Sequence, residues 1–109
     1  YRLALNTIRF TLSIMRISEN EKKAILDAVH ALDPDAHVIL FGSRADDNAR
    51  GGDIDLLVIS DHIGFREEMK IRSAIMDQIG WQKIDLIVQK RDQATRPIVA
   101  IALETGVPL

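Results

Sequence analysis

The sequence lacks several features that would assign it to a specialised class of protein. It has no cysteine among its 109 residues, which excludes disulfides and thiolate metal sites and is compatible with the cytoplasm. No apolar run approaches the ~20 residues of a membrane-spanning helix. The net charge is −2 without a dense Lys/Arg cluster, so we do not expect autonomous binding to nucleic acid. What remains is typical of one globular domain.

The order of helix and strand signals predicts an α/β (α+β) domain. Ser18 and Glu21 form a capping box, which predicts the start of a helix. Three helices are expected, at about 18–32, at about 65–79 and from Thr95 or Arg96 to about Gly106. Three short apolar runs predict strands, at about 37–42, 53–60 and 83–89. The last two strands are joined by a helix, so we expect them to be parallel in a small mixed sheet with helices packed against it.

Apolar periodicity also predicts which side chains of the later helices are buried. The expected buried positions are Phe65, Met69, Ile75, Met76 and Ile79 in the second helix and Ile98, Ile101 and Ala102 in the last. Trp81 is expected to cover an edge of the core, with stacking on a nucleobase as the alternative.

The first residues differ from the rest. Met15 begins a stretch that looks like a natural start, so we expect residues 1–14 to be an N-terminal extension, native or introduced by cloning, and residues 15–109 to be the domain. A native amphipathic helix is one alternative. A targeting peptide is another, although it would need a longer apolar core and a small-residue cleavage site.

Three aspartates lie at the starts of the last two predicted strands. Asp53 and Asp55 are two residues apart, so on a strand they point to the same face, and Asp85 repeats the pattern later. Converging carboxylates repel one another, and at least one stays protonated unless a cation lies among them. Mg²⁺ is suitable because it is a hard ion that binds one or two carboxylates, waters and substrate phosphates. The alternative is that these are polar turn and surface strand residues.

The first predicted strand ends at Gly42-Ser43, and this is the second half of the predicted site. Glycine lets a phosphate approach the backbone, and free N–H groups at the start of a loop or helix bind anions. Arg44 is a candidate phosphate contact, with an ion pair to a loop acid as an equal alternative. A phosphate cradle facing a carboxylate cluster predicts a site that handles nucleotides.

These motifs, in this order, resemble the nucleotidyltransferase superfamily that includes DNA polymerase beta. They are Gly42-Ser43-Arg44, then Asp53-Ile54-Asp55-Leu56, then Asp85. The short chain and its tail, Gly106-Val107-Pro108-Leu109, resemble the minimal nucleotidyltransferases, and the likeness extends from about Ser18 to Leu109. The spacer before Asp53 is nine residues, one shorter than expected for the family, and Gly52 stands where serine is frequent.

The resemblance implies a nucleotidyltransferase fold and a role for each motif residue. Gly42, Ser43 and Arg44 would bind the nucleotide phosphates. Asp53 and Asp55 would bind two Mg²⁺, and Asp85 would assist the metal and activate the attacking hydroxyl. The implied reaction transfers a nucleoside monophosphate, AMP from ATP, to a hydroxyl group and releases pyrophosphate.

Many minimal nucleotidyltransferases resemble the antitoxin half of two-gene toxin–antitoxin pairs. Their partner is a helical HEPN-type ribonuclease, which they inactivate by adenylylating a tyrosine. The resemblance therefore implies a cytoplasmic antitoxin with such a toxin as its partner, and little chain follows the catalytic strands to build an acceptor pocket. One alternative is a non-catalytic module that neutralises its partner by binding. Another is transfer to a small molecule such as an aminoglycoside, or to RNA, which would require a second domain or a basic surface.

Overall fold

The computed structural model describes residues 17–42 and 53–109. Within these ranges the helices are α1 (Glu19–His30), α2 (Phe65–Ile79) and α3 (Pro97–Thr105), and the strands are β1 (His37–Phe41), β2 (Ile54–Ile59), β3 (Ile84–Gln89) and β4 (Val107–Pro108). The α+β class, the mixed sheet and the predicted helices are confirmed. Residues 1–14 and the loop at 43–52 lie outside the described ranges, so the predictions made there stay predictions.

The four strands form one sheet in the order β3-β2-β1-β4. β2 and β3 are parallel, as the intervening helix predicted, and β1 is antiparallel to both β2 and β4. β4 was not predicted, because a two-residue strand is too short to show alternation. The parallel register places Asp55 directly beside Asp85.

Each strand divides its side chains between the two faces of the sheet. Ile54, Leu56 and Val58 of β2 belong to the main core beneath α1 and α2. Leu57 belongs to a smaller core beneath α3, together with Ile39 and Phe41 of β1. Because side chains alternate along a strand, Asp55 lies on the α3 face, like Leu57. On that face the smaller core lies over β1 and β2, with Ile59 and Ile87 packed against it.

The capping box at the start of α1 is confirmed. The Glu21 backbone N–H donates to Ser18 Oγ over 3.1 Å, and the Ser18 N–H donates to Glu21 Oε1 over 2.9 Å. On α1, Ile25 and Val29 are fully buried and Leu26 and Leu32 pack against the main core, so these four side chains share one apolar stripe.

The predicted buried faces of α2 and α3 are partly wrong. In α2, Ile71 and Ile75 are fully buried, whereas Phe65 and Met69 are 75% and 55% exposed. In α3, Val99 and Ala102 contact the sheet, whereas Ile98 and Ile101 are exposed. α3 is apolar nearly all round, so periodicity alone does not select its buried face.

Trp81 does not cover an edge of the core, because 80% of its surface is exposed. It lies in the connection between α2 and β3, where Gly80 ends the helix with a φ of +85°. This connection leads directly into the strand that carries Asp85, so Trp81 lies at the same edge of the sheet as the aspartates.

No helix in the described ranges combines the length and the apolar character needed to cross a membrane.

Candidate active site

Asp55 and Asp85 form the centre of the candidate site. They are cross-strand neighbours in the parallel β2–β3 pair, and both point to the α3 face. Asp55 is half-buried and Asp85 is exposed. Burial, a hydrogen bond to Asp85 and repulsion from Asp85 and Asp53 together raise the pKa of Asp55 above its ordinary value. In the absence of a cation Asp55 therefore retains its proton to a higher pH than an isolated aspartate would.

Gly42 brings the end of β1 against this pair. Its φ is +71°, a left-handed conformation that side chains other than glycine rarely adopt. A Cβ atom at this position would lie only 2.2 Å from Asp55 Oδ2. Glycine therefore allows the backbone and the carboxylate to touch, and the start of the predicted phosphate cradle is next to the acids. Ser43 and Arg44 follow immediately but lie outside the described residues.

Asp53 is positioned differently from the other two acids. It precedes β2, and its Oδ2 lies 3.4 Å from the Nζ of Lys83, which precedes β3. The two residues are neighbours because the register that aligns Ile54 with Ile84 continues backwards by one residue. Asp53 is nevertheless near enough to Asp55 for its charge to raise the pKa of Asp55.

Sequence reasoning missed Lys83. Its signal was present, because Lys83 precedes Asp85 by two residues just as Asp53 precedes Asp55. Two residues along a strand return to the same face, so parallel alignment of the two segments juxtaposes Lys83 and Asp53. The alignment itself is a property of the folded sheet. The positive charge of Lys83 opposes the repulsion among the acids and offsets a small part of the rise in the pKa of Asp55.

The donor set fits Mg²⁺ in its chemistry. Within the described ranges no three His, Cys, Asp or Glu side chains are gathered closely enough to hold a metal as they stand. Asp55 and Asp85 are in contact, however, and Asp53 is close enough to influence them. All of these donors are carboxylate oxygens, which Mg²⁺ prefers. A cation would also relieve the repulsion that raises the pKa of Asp55.

The aspartates are separate from the cavity between the first two helices. A cavity of about 500 Å³ lies between α1 and α2, lined by Lys23, Asp27, Lys70 and Gln78 among others. Those helices cover the main core, on the sheet face opposite to Asp55 and Asp85. The acids therefore do not line this cavity; Asp85 is exposed, and Asp53 and Asp55 are half-buried.

A comparison with protein families matches residues 14–109 to the family described as Polymerase beta, Nucleotidyltransferase. The chain belongs to this family. The match includes the glycine at the end of β1 and all three aspartates, and membership supports a nucleotidyltransferase-type activity. No curated protein gives a significant match to the chain. The fold and the family thus agree with the resemblance drawn from the motifs, while the roles of individual residues stay predictions.

Proposed function

We propose that this nucleotidyltransferase is an Mg²⁺-dependent enzyme that transfers AMP from ATP to a hydroxyl group of a partner protein. We further propose that it acts as the antitoxin of a pair whose toxin is a helical HEPN-type ribonuclease. The observation that carries the catalytic part is the contact of Asp55 with Asp85 beside Gly42, on the accessible face of the sheet. The protein partner and the antitoxin role rest on the resemblance to minimal nucleotidyltransferases.

We assign a separate role in this reaction to each residue of the site. Asp53 and Asp55 would hold Mg²⁺, which when bound would supply positive charge to the transferring phosphate and the leaving pyrophosphate. The backbone at Gly42, continuing into Ser43 and Arg44, would bind the nucleotide phosphates. Asp85 is exposed, so an acceptor hydroxyl can reach its carboxylate.

The transfer itself is a displacement at the α-phosphorus of ATP. The acceptor hydroxyl oxygen forms a bond to this phosphorus, and the bond from phosphorus to the oxygen that bridges to the β-phosphate breaks. Pyrophosphate leaves with the electron pair of that bond. The hydroxyl proton passes to the carboxylate of Asp85, which acts as the general base.

Two features support a protein as the acceptor. The aspartates lie on an accessible sheet face, where a hydroxyl on another macromolecule can approach. On the same side, α3 exposes Ile98, Ile101 and Leu103 by 42%, 54% and 48%. Exposed apolar groups of this kind are typical of surfaces that bind other proteins. The net charge of −2 disfavours RNA as the acceptor.

The decisive experiment is intact-mass spectrometry of the product of the neighbouring gene after incubation with this protein, ATP and Mg²⁺. We expect a mass gain of one or more AMP units with the wild type and none with Asp53→Asn. Asp92→Asn is a matched control, because Asp92 is an exposed acid in the loop after β3. If a tight complex forms without any mass gain, the protein is a binding module and the catalytic proposal is wrong.

A further inference from the structure

The ion pair between Lys83 and Asp53 is a feature of the site to which the proposed mechanism gives no role. Asp53 is a proposed metal ligand, yet its Oδ2 already faces the Nζ of Lys83 at 3.4 Å. If this pair were permanent, it would compete with the binding of Mg²⁺ to Asp53. The pair must therefore either weaken the site or change when the site is loaded.

Exposure makes the pair easy to exchange. The side chains of Lys83 and Asp53 are 62% and 45% exposed, and exposed ion pairs contribute only about 0.2–1 kcal/mol. A lysine ammonium on its flexible four-carbon stem can turn to another anion without moving the backbone.

The backbone of Lys83, in contrast, is held in place. Its carbonyl accepts a hydrogen bond from the Ile54 N–H over 3.0 Å, which joins the starts of β2 and β3. The Cα atom of Lys83 is thereby fixed beside Asp53 while the ammonium remains free to turn. The Lys83 ammonium, anchored in this way, stays at the site whichever anion it contacts.

Binding of Mg²⁺ and a nucleoside triphosphate would reverse the balance of charges around Lys83. Without nucleotide, the ammonium is attracted by Asp53 and by the nearby pair of Asp55 and Asp85. A divalent cation among the acids would repel the ammonium, and a triphosphate would bring several negative oxygens to the same edge of the sheet. The more favourable partner for Lys83 would then be a phosphate oxygen.

We propose that Lys83 exchanges partners, contacting Asp53 in the nucleotide-free protein and the triphosphate when the nucleotide is bound. This inference rests on the proposed function and adds Lys83 to it as a substrate-binding residue. It assigns two opposite effects to one side chain, since the same ammonium competes with metal at Asp53 and contributes to the binding of nucleotide.

The test is Lys83→Met, which retains an unbranched stem and removes the charge. Two dissociation constants are measured by calorimetry, one for Mn²⁺ alone and one for an ATP analogue with a methylene between the α- and β-phosphates, in excess Mg²⁺. We expect Mn²⁺ to bind up to about fivefold more tightly, because the competing ammonium is gone. We expect the analogue to bind about tenfold or more weakly, because a charge-assisted hydrogen bond is lost.

Two further variants serve as controls. Lys83→Arg keeps the charge and should restore most of the affinity for the analogue. Lys90→Met removes an exposed lysine just beyond the opposite end of β3 and should change neither constant. An unchanged affinity for the analogue in Lys83→Met, or a parallel weakening of both ligands, would overturn the exchange of partners. If the wild type itself bound no analogue, the proposed function would fail, and this inference with it.

Discussion

Asp33 and Asp55 lie at opposite ends of β2 and have opposite environments. We call the end at Asp55, beside the candidate site, the near end, and the end at Asp33 the far end. Asp33 is only 2% exposed and lies at the far end of the strand, where it accepts hydrogen bonds from the Ser60 hydroxyl and from the Asp35 N–H. The bond from Ser60 is the main reason that the pKa of Asp33 lies below its ordinary value. Asp55 lies at the near end, and burial and neighbouring acids raise its pKa.

The difference distinguishes a carboxylate that is hydrogen-bonded within the fold from one that we propose to bind a metal ion. The donors around Asp33 belong to the loop after α1 and to the residue that follows β2, so its charge joins these segments. Nearby, Arg91 donates to the Asp35 carbonyl over 2.6 Å and its backbone N–H donates to Asp61 over 2.9 Å, which ties the same segments to the loop after β3. Asp55 instead lies beside two other carboxylates, whose repulsion Lys83 offsets only in small part and a bound cation would relieve.

The largest expected effect is on catalysis at the near end. Asp55→Asn should lower the rate of AMP transfer by at least about 10³-fold, since metal ligation provides several kcal/mol and each 1.36 kcal/mol is tenfold. The free energy of unfolding without Mg²⁺ should stay the same or rise, because repulsion between Asp55 and Asp85 is removed. Steady-state transfer assays and urea unfolding measure the two quantities. Full activity in this variant would contradict the site.

The next effect is on stability at the far end. Asp33→Ala should lower the free energy of unfolding by about 1.5–3 kcal/mol, because hydrogen bonds to a buried charged group are lost. The folded fraction should keep its transfer activity. A double-mutant cycle with Ser60→Ala, measured by urea unfolding, should show a combined loss smaller than the sum of the single losses. Strict additivity would mean that the contact between the two side chains contributes little.

A smaller effect is expected from two glycines with positive φ. Gly42→Ala and Gly80→Ala should each cost about 1–2 kcal/mol for the left-handed conformation. Only at Gly42 does the added Cβ also collide with Asp55, since the space around Gly80 is open to 4 Å. We therefore expect Gly42→Ala to lose transfer activity and Gly80→Ala to keep it, with thermal unfolding as the measure of stability. Equal activities would argue against the role of Gly42 beside the acids.

The smallest effects concern the dependence of stability on pH. The lowered pKa of Asp33 provides stability that is present above its ordinary pKa of 3.8 and is lost as the pH falls through the folded-state value. The raised pKa of Asp55 acts in the opposite direction, because the folded state binds the proton more tightly, so stability falls as the pH rises from 3.8 to the raised value.

Urea unfolding from about pH 3 to pH 8 separates the two contributions when the wild type is compared with Asp33→Asn and Asp55→Asn. The difference between wild type and Asp33→Asn should shrink toward acid pH. The difference between wild type and Asp55→Asn should grow toward neutral pH, with the variant becoming the more stable protein. The same sign for both differences would contradict the contrast between the two ends of β2.

Local patterns predicted the elements of this fold well because their causes are local. A capping box needs only residues three positions apart, so Ser18 and Glu21 were sufficient to locate the start of α1. The parallel pairing of β2 and β3 followed from the helix between them. The buried face of α3 could not be predicted in this way, since its apolar residues surround the helix and packing against Ile39, Phe41 and Leu57 selects Val99 and Ala102.

In the candidate site too, some features were predictable from local patterns and others depend on contacts between distant residues. Gly42 and the three aspartates could be selected as candidate site residues from their order and their places in strands, and their roles stay predictions. Lys83 was not selected, because a lysine before a strand is usually solvated and its spacing from Asp85 gains meaning only when β2 and β3 are aligned. The far-end pair of Asp33 and Ser60 was also invisible, since 27 residues separate the two side chains along the chain.

By itself, the sequence determined which residues occupy β1, β2 and β3 and which acids open β2 and β3, because alternation and spacing are properties of neighbouring residues. Only the tertiary structure decided that Asp55 touches Asp85 and Gly42, that Asp53 faces Lys83, and that the acids share a sheet face with α3. These contacts depend on the register between strands, which is set by packing of the whole sheet against its helices.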